Sequence, residues 1–452
     1  VSTRPNVGEA IRKKTAKQMK SFRIDDTEAT APDRVQTCAM DASKRKRNRK
    51  DVQRRLNHME DTIAAIQAIV EEGSYSPRHH EAVVINQSGP HKERTIIKPD
   101  YFPEQITHHV AVKALQPCIM YGMGDFVLGS IPGRGAHYGK RYIEKWLRHD
   151  ERNTRIIGKL DIRHFYQNID HDVLKNWLHE KIRPGKIRDL CDLIIDGVEE
   201  GIPLGFYTSQ WFSNFLLQPL DHLIMEELHV SHWCRYVDDI TIFGGNKKVI
   251  HAAMAEIDRY LWENFRLQVK DNWQVSRMEY TVTEYAIECE KLADLYALAE
   301  VLPVKYRLKM HQGRRKIFIK ANAKSETTMD ELLEKYGATA ETVRMTHGRP
   351  LDFMGFEFHR DRTVLRKSIM IRATRKASRL GNARRINWAE AAGMLSYMGW
   401  IDHTDTYAMY LERVKPYVDI KRLKKIVSNH QRRLNNGIDL QNRAGLPAGA
   451  TG

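Results

Sequence analysis

The chain has 452 residues, with 73 Lys and Arg against 57 Asp and Glu, for a formal net charge of +16. Its length suits two or three subdomains around a sizeable core, and its charge excludes an acidic surface and favours a polyanionic partner, nucleic acid first. Five scattered cysteines without zinc-ligand spacing, no signal peptide and no run approaching the ~18 apolar residues of a membrane span make a cytoplasmic protein with reduced thiols and no membrane association the expectation.

In chain order, residues 1–57 read as a basic N-terminal arm. Its run Ser43-Lys44-Arg45-Lys46-Arg47-Asn48-Arg49-Lys50 either grips nucleic-acid phosphates or is a solvated, partly disordered segment. Leu56, Met59, Ile63, Ile66 and Ile69 recur at helical spacing, which predicts an amphipathic helix over 51–72. Residues 92–99 read as a strand with basic residues along it, and a helix containing His108, His109, Val110, Val112 and Leu115 follows. Ser130-Ile131-Pro132-Gly133-Arg134-Gly135 is a glycine loop. An apolar run ends at Asp161, and Asp170 or Asp172 caps a helix starting near Val173, within a helical stretch over 173–198. The turn at 201–205 leads into a helix with Phe212, Ser213, Phe215 and Leu216. Arg235-Tyr236-Val237-Asp238-Asp239-Ile240-Thr241-Ile242-Phe243-Gly244 reads as a hairpin with two acids at its turn. A helix over 247–262 and a returning strand at 267–270 follow. Helices are predicted over 282–301 and 326–345, flanking a basic segment at 305–320. Basic helices fill 360–385 and 388–434, and the tail from Gly437 is expected to be mobile.

An isolated Asp-Asp is most often a solvated turn. Here Asp161, at the end of a separate apolar run, can bring a third carboxylate to Asp238 and Asp239. Adjacent strand side chains point to opposite faces, so a tight turn must re-aim one of the pair. Three carboxylates without basic partners suit hard divalent cations, and can hold two Mg²⁺ ions about 3.5–4 Å apart for phosphoryl transfer.

The combination of boxes is recognisable. Tyr236-Val237-Asp238-Asp239 resembles the Tyr-x-Asp-Asp box of reverse transcriptases, and Leu160-Asp161-Ile162-Arg163-His164-Phe165-Tyr166 resembles their first catalytic motif. Gly201-Ile202-Pro203-Leu204-Gly205-Phe206-Tyr207-Thr208-Ser209-Gln210 resembles the motif between them, and Asp352-Phe353-Met354-Gly355-Phe356-Glu357-Phe358 the primer-grip hairpin. All four stand in the family's order, over roughly residues 90–435. Leu204, where many members have Gln, resembles the bacterial defence-associated, unknown-group and diversity-generating-retroelement enzymes, relatives of group II intron and retron enzymes.

The resemblance implies an α/β right-hand polymerase whose α+β palm lies between fingers and a helical thumb. Its expected divisions are fingers over 58–150, palm over 151–275, an inserted RNA- or subunit-binding subdomain over 276–346, a primer-grip hairpin over 347–362, a helical thumb over 363–436 and a mobile tail over 437–452. It implies metal ligation by Asp161, Asp238 and Asp239, with the Ile162 carbonyl contributing, and Mg²⁺ as cofactor with Mn²⁺ as an alternative. Arg94 and Lys98 would hold the nucleoside triphosphate, Arg134 less so. Tyr166 would exclude a 2′-hydroxyl, Leu204, Gly205 and Gln210 would line the nucleotide, and Lys270 would protonate departing pyrophosphate. Arg366, Lys367, Arg372, Arg375 and Lys376 would track the duplex backbone.

The implied activity is dNTP-dependent primer extension on an RNA template, yielding DNA. The Leu204-to-Gln210 box and the absence of a visible nuclease domain suggest either anti-phage defence with a dedicated non-coding RNA, which is favoured, or a mutagenic retroelement. A low-fidelity retroelement enzyme and a non-catalytic RNA-binding scaffold are the alternatives. An accessory protein or a homo-oligomer is a further partner class.

Overall fold

The computed structural model describes residues 21–77, 82–86, 93–320 and 326–444. Residues 1–20 of the expected basic arm, 445–452 of the expected tail and the Arg94 side chain lie outside the described residues. The chain forms two compact units. Of the described residues, one holds those up to Val275 with 352–358 and 362–444; the other holds those of 276–351 with 359–361.

In the first unit, helices Pro32–Ala42, Lys50–Asn57 and Met59–Glu72 bury Val35, Val52, Ile66 and Val70 in the main core. The helix expected over 51–72 is therefore two, broken at His58. The basic run between the first two helices is neither helical nor loose. Successive turns close through Lys46 N to Ser43 O and Arg49 N to Lys46 O, and Lys46 donates to Ala42 O and to the Gln105 side chain.

Strands β1 (Ala82–Asn86) and β2 (Glu93–Ile97) pair antiparallel. Helix Ile106–Tyr121 follows. On it, His109 stacks on Tyr207 with ring centroids 4.1 Å apart. Burial pulls its pKa from 6.5 to about 4, against the nearby Asp41 charge and together with Lys46, Lys113 and Lys44. Between these values the unfolded chain binds a proton that the folded chain does not, so stability is full above pH 6.5 and falls as pH drops towards 4. His109→Gln should flatten that acid limb of the melting temperature. An unchanged slope of melting temperature against pH would exclude His109 as its source.

The central sheet has the order β4-β5-β3-β6, with β3 (Ile156–Asp161), β4 (His232–Tyr236), β5 (Asp239–Gly244) and β6 (Gln274–Arg277). β3 and β4 each pair antiparallel with β5. Helix Lys247–Phe265 covers the face that carries Gly158, Leu160, Ile240 and Ile242. A Cβ on Gly158 would stand 2.8 Å from Met254 Sδ and 2.9 Å from Ile250 Cγ2, so only glycine lets the helix approach this closely. Alternation puts Lys159, Asp161, Asp239 and Thr241 on the opposite face. The strand expected at 267–270 is reduced to a single bridge, Val269 to Ile162, because the ladder ends there.

The second unit corrects two expectations. Residues 282–301 are not one helix: β7 (Tyr280–Cys289) precedes helix Leu292–Val301. Residues 326–345 likewise divide into helix Glu326–Lys335 and strand β10 (Ala338–His347), with β8 (Arg307–His311) and β9 (Arg314–Lys320) between the two pairs. Thr281, Val282 and Thr283, and Thr339 and Thr342-Val343, are β-branched residues whose side chains pack better on a pleated surface than against a helical turn. The succession is β-α-β-β-α-β with strand order β10-β7-β9-β8, the split βαβ arrangement. Both helices cover one face, over Ile287, Ile317 and Ile319.

Back in the first unit, β11 (Leu351–Phe353), β12 (Phe356–Phe358) and β13 (Thr363–Leu365) form a three-stranded sheet. Helices Lys367–Gly381, Trp388–Ile401, Tyr407–Arg413 and Ile420–Ala444 follow, the first, second and last around Met370, Ala377, Met394, Met398 and Leu423. The last helix runs past Gly437, where a mobile tail was expected. The sequence after Gly437 contains no second helix breaker before Ala444. Among the described residues no helix is long and apolar enough to cross a membrane.

Candidate active site

The β4–β5 hairpin closes so that Tyr236 pairs with Asp239, leaving Val237 and Asp238 as the turn. Asp238 alone of the two acids is thus in the turn; Asp239 is the first ladder residue. Asp239 pairs directly with Asp161 across β3–β5, which puts both carboxylates on one face. The ladder ends with Ile162 N donating to Asp238 O at 3.2 Å and Lys270 N donating to Asp161 O at 2.9 Å.

Two ammonium groups meet these acids. Lys270 Nζ lies 2.6 Å from Asp161 Oδ1, and Lys159 Nζ lies 3.5 Å from Asp239 Oδ2 while donating to Asp352 O at 2.6 Å. Lys159 thereby ties the acid-bearing face of β3 to Asp352 in β11. Burial pushes the Asp239 carboxyl up to about 7, Lys159 opposing and the Asp161 and Asp238 charges reinforcing. Asp239 Oδ1 and Thr241 Oγ1, on the same face, are buried without a hydrogen-bond partner among the described residues. As they stand, no three His, Cys, Asp or Glu side chains among the described residues are grouped closely enough to hold a metal ion.

The turn is strained and braced. Val237 has φ of 60°, a left-handed conformation that a β-branched residue rarely adopts. Beneath it, Arg235 is fully buried and forms a bidentate pair with buried Asp221, Nε to Oδ1 at 2.7 Å and Nη2 to Oδ2 at 2.6 Å. Its Nη1 donates to Val237 O at 3.1 Å and to Asn214 Oδ1 at 2.9 Å. Asn214 Nδ2 in turn donates to Gly129 O at 2.9 Å. A Cβ on Gly129 would stand 2.4 Å from Val237 Cγ2, so the glycine loop is pressed against the turn. Lys159, Asn214, Asp221 and Arg235 were not among the sequence candidates. Lys159 was findable two residues before Asp161, on the same face; Arg235, a cation inside an apolar strand, signalled an acidic partner without naming it.

The remaining candidates divide. Ile97 N donates to Leu204 O at 2.8 Å, and a Cβ on Gly205 (φ 115°) would stand 2.0 Å from Ile97 O, so β2 is fastened to the 204–205 turn and only glycine fits. This brings Lys98, exposed just beyond β2, beside Leu204 and Gly205. Tyr166 follows the left-handed His164, is partly buried, and is fixed by Ile202 N donating to its carbonyl at 2.8 Å. Gln210 is exposed. Arg134 is turned to Gly124 O at 2.5 Å and towards Asp125, away from a triphosphate role. Asp170 caps its helix through Val173 N at 3.1 Å. In helix Lys367–Gly381, Arg375 is exposed opposite the buried Met370, Ala373, Ala377 and Leu380, and Lys367 is exposed in the first turn, whereas Arg372 and Lys376 are partly buried. Arg366 is held by Asp352 at 2.5 Å.

Residues 94–273 match the family model described as reverse transcriptase (RNA-dependent DNA polymerase). The chain carries a reverse transcriptase domain. No curated protein matches the chain. Among solved structures, it is similar to telomerase from Candida albicans in complex with a TWJ fragment of telomeric RNA, at 12% identity and a TM-score of 0.37, covering 78% of this chain and 57% of that one. It is also similar to apo telomerase from Candida tropicalis, at 13% identity and a TM-score of 0.34, covering 47% of this chain and 48% of that one. A form of the latter truncated from the C-terminal domain gives 11% identity and a TM-score of 0.33, over 47% of this chain and 54% of that one. The chain spans about half the length of these structures. Its own fold is reverse-transcriptase-like, mixed helix and antiparallel sheet.

Proposed function

We propose that the chain is an RNA-directed DNA polymerase that extends a primer with dNTPs on an RNA template. The observation that carries this reading is the direct pairing of Asp161 with Asp239, one residue from Asp238 in a braced turn, inside the domain that the family model matches.

Asp239 Oδ1, buried without a partner among the described residues on a carboxyl whose ionisation is disfavoured by burial and by the Asp161 and Asp238 charges, fits a divalent cation. Asp161, Asp238 and Asp239, with the Ile162 carbonyl, would hold Mg²⁺, or Mn²⁺ in its place. Bound there, two such ions supply charge stabilisation to the attacking and leaving oxygens. The chain's own residues do the rest. Lys270, 2.6 Å from Asp161, is placed to give a proton to the departing pyrophosphate. Lys98, with Arg94 on the adjoining strand, would hold the triphosphate. The Tyr166 ring would lie under the sugar and clash with a 2′-hydroxyl. Lys367 and Arg375 would meet the duplex backbone, with Arg366, Arg372 and Lys376 behind them.

Primer extension on an RNA template with dNTPs, and in parallel with NTPs, tests the reading. Extension with dNTPs and little or none with NTPs is expected. No incorporation of either with Mg²⁺ or Mn²⁺ would refute it, and equal use of NTPs would remove the role given to Tyr166.

For the biological role, the Leu204-to-Gln210 box supports a defence-associated enzyme copying a dedicated non-coding RNA. Sequencing the RNA that co-purifies, and the DNA made from it, tests that role. Adenine-directed errors in a template repeat would favour a mutagenic retroelement instead.

A further inference from the structure

Outside the polymerase domain, the β8–β9 hairpin of the second unit is unusual in charge. Residues 305–320 contain seven Lys and Arg and no Asp or Glu. The two strands are joined by Gln312-Gly313, with φ of 49° and 80°, which makes a tight two-residue turn and keeps the register His311 to Arg314. β8 ends the sheet order, so its outer edge is unpaired among the described strands.

Part of the charge is neutralised within the unit. Arg307 pairs with the buried Glu284, and Lys316 with Glu288 at 3.1 Å and Glu341 at 2.7 Å. Lys305, Lys309 and Arg314 are different. All three are exposed, and none has a side-chain hydrogen bond or ion pair among the described residues. Lys309 and Arg314 lie on the sheet face opposite the helices, as the cross-strand register requires. Lys309 and Arg314 are diagonal neighbours across the β8–β9 pair, about 7–8 Å apart on one face, the scale of one step along an extended nucleotide strand. Met310, 63% exposed, pairs with Arg315 and so lies on the other face of the hairpin, leaving the face of Lys309 and Arg314 to the cations.

We propose that this hairpin is a single-stranded-RNA-binding arm that grips the sugar–phosphate backbone independently of the proposed polymerase centre. Nucleic acid fits better than an acidic protein strand. Lysine on a sheet edge opposes strand addition, and a row of unpaired cations tracking the backbone is a means by which proteins hold single strands without reading sequence.

The test uses the whole chain and a fluorescently labelled single-stranded oligoribonucleotide of mixed sequence. The triple variant Lys305→Ala, Lys309→Ala, Arg314→Ala removes only exposed, unpaired side chains, and far-UV circular dichroism and melting temperature confirm that it folds. Its dissociation constant should rise about tenfold or more at low salt, and the slope of log affinity against log salt should fall by about 2, from ~0.7 for each lost contact to a single strand. The charge-conserving variant Lys305→Arg, Lys309→Arg, Arg314→Lys should retain both affinity and slope. Unchanged affinity and slope in the alanine variant would overturn the proposal. So would binding of poly-glutamate that the alanine variant loses while its RNA binding is intact. Extension of a pre-annealed primer–template by the parent reads the polymerase proposal separately: its failure there would leave the binding comparison standing.

Discussion

Asp161→Asn and Asp238→Ala should each lower primer extension by about 10³-fold or more, because each removes a carboxylate from the place where charge must be stabilised during phosphoryl transfer. RNA affinity should stay near that of the parent, since a carboxylate offers a phosphate no attractive contact. The stability result is the sharper part. The Asp161 and Asp238 charges both push the Asp239 pKa upwards, so the native state holds mutually repelling acids. Removing one should leave the melting temperature equal to or above that of the parent, a trade of stability for function found at many sites. Primer extension, RNA binding and thermal melts on the same preparations decide it. A variant of Asp238 that still polymerises would remove Asp238 from the mechanism, and a large fall in melting temperature would mean that these acids are structural.

Asp221→Ala should act through the fold. It leaves the Arg235 guanidinium fully buried without its carboxylate, and stranding a buried charge costs about 3–5 kcal/mol. Against a total stability of about 5–15 kcal/mol, much of the protein should be unfolded or aggregated at growth temperature. Burial alone pushes the Asp221 carboxyl up, and the bidentate guanidinium opposes this. Arg235→Met combined with Asp221→Leu removes both charges at similar volume and should recover most of the melting temperature. It should not recover extension. The carbonyl of Val237 would lose its donor, and a β-branched residue at φ 60° costs about 1–3 kcal/mol that only its surroundings sustain. A double variant that melts and polymerises like the parent would show that the buried pair is dispensable to the turn.

The same contrast separates what was legible in the sequence. The acids at 161, 238 and 239 stood out because each ends or interrupts a short apolar run, and strand alternation is a local property. The predicted hairpin and the strand ending at Asp161 formed where expected. The helices predicted over 282–301 and 326–345 failed because β-branched residues at 281–283 and at 339, 342 and 343 favoured strands, which were then fixed by pairing of β7 with β9 and with β10. The basic residues of 366–376 were visible as a group, but only packing divided them. Lys367 and Arg375 face outward, whereas Arg366 is taken by Asp352.

The sequence by itself determined which residue types sit at the ends of the central strands, and thus the chemistry this chain can attempt, because charge and two-residue periodicity need no distant partner. The tertiary structure alone decided that Asp161 stands opposite Asp239, that Val237 takes the strained position, and that Asp221, Asn214 and Gly129 converge beneath it. Those contacts join residues up to 108 positions apart, between Gly129 and Val237 in one bonded network, and nothing in a local pattern specifies which distant partner a buried polar group will find.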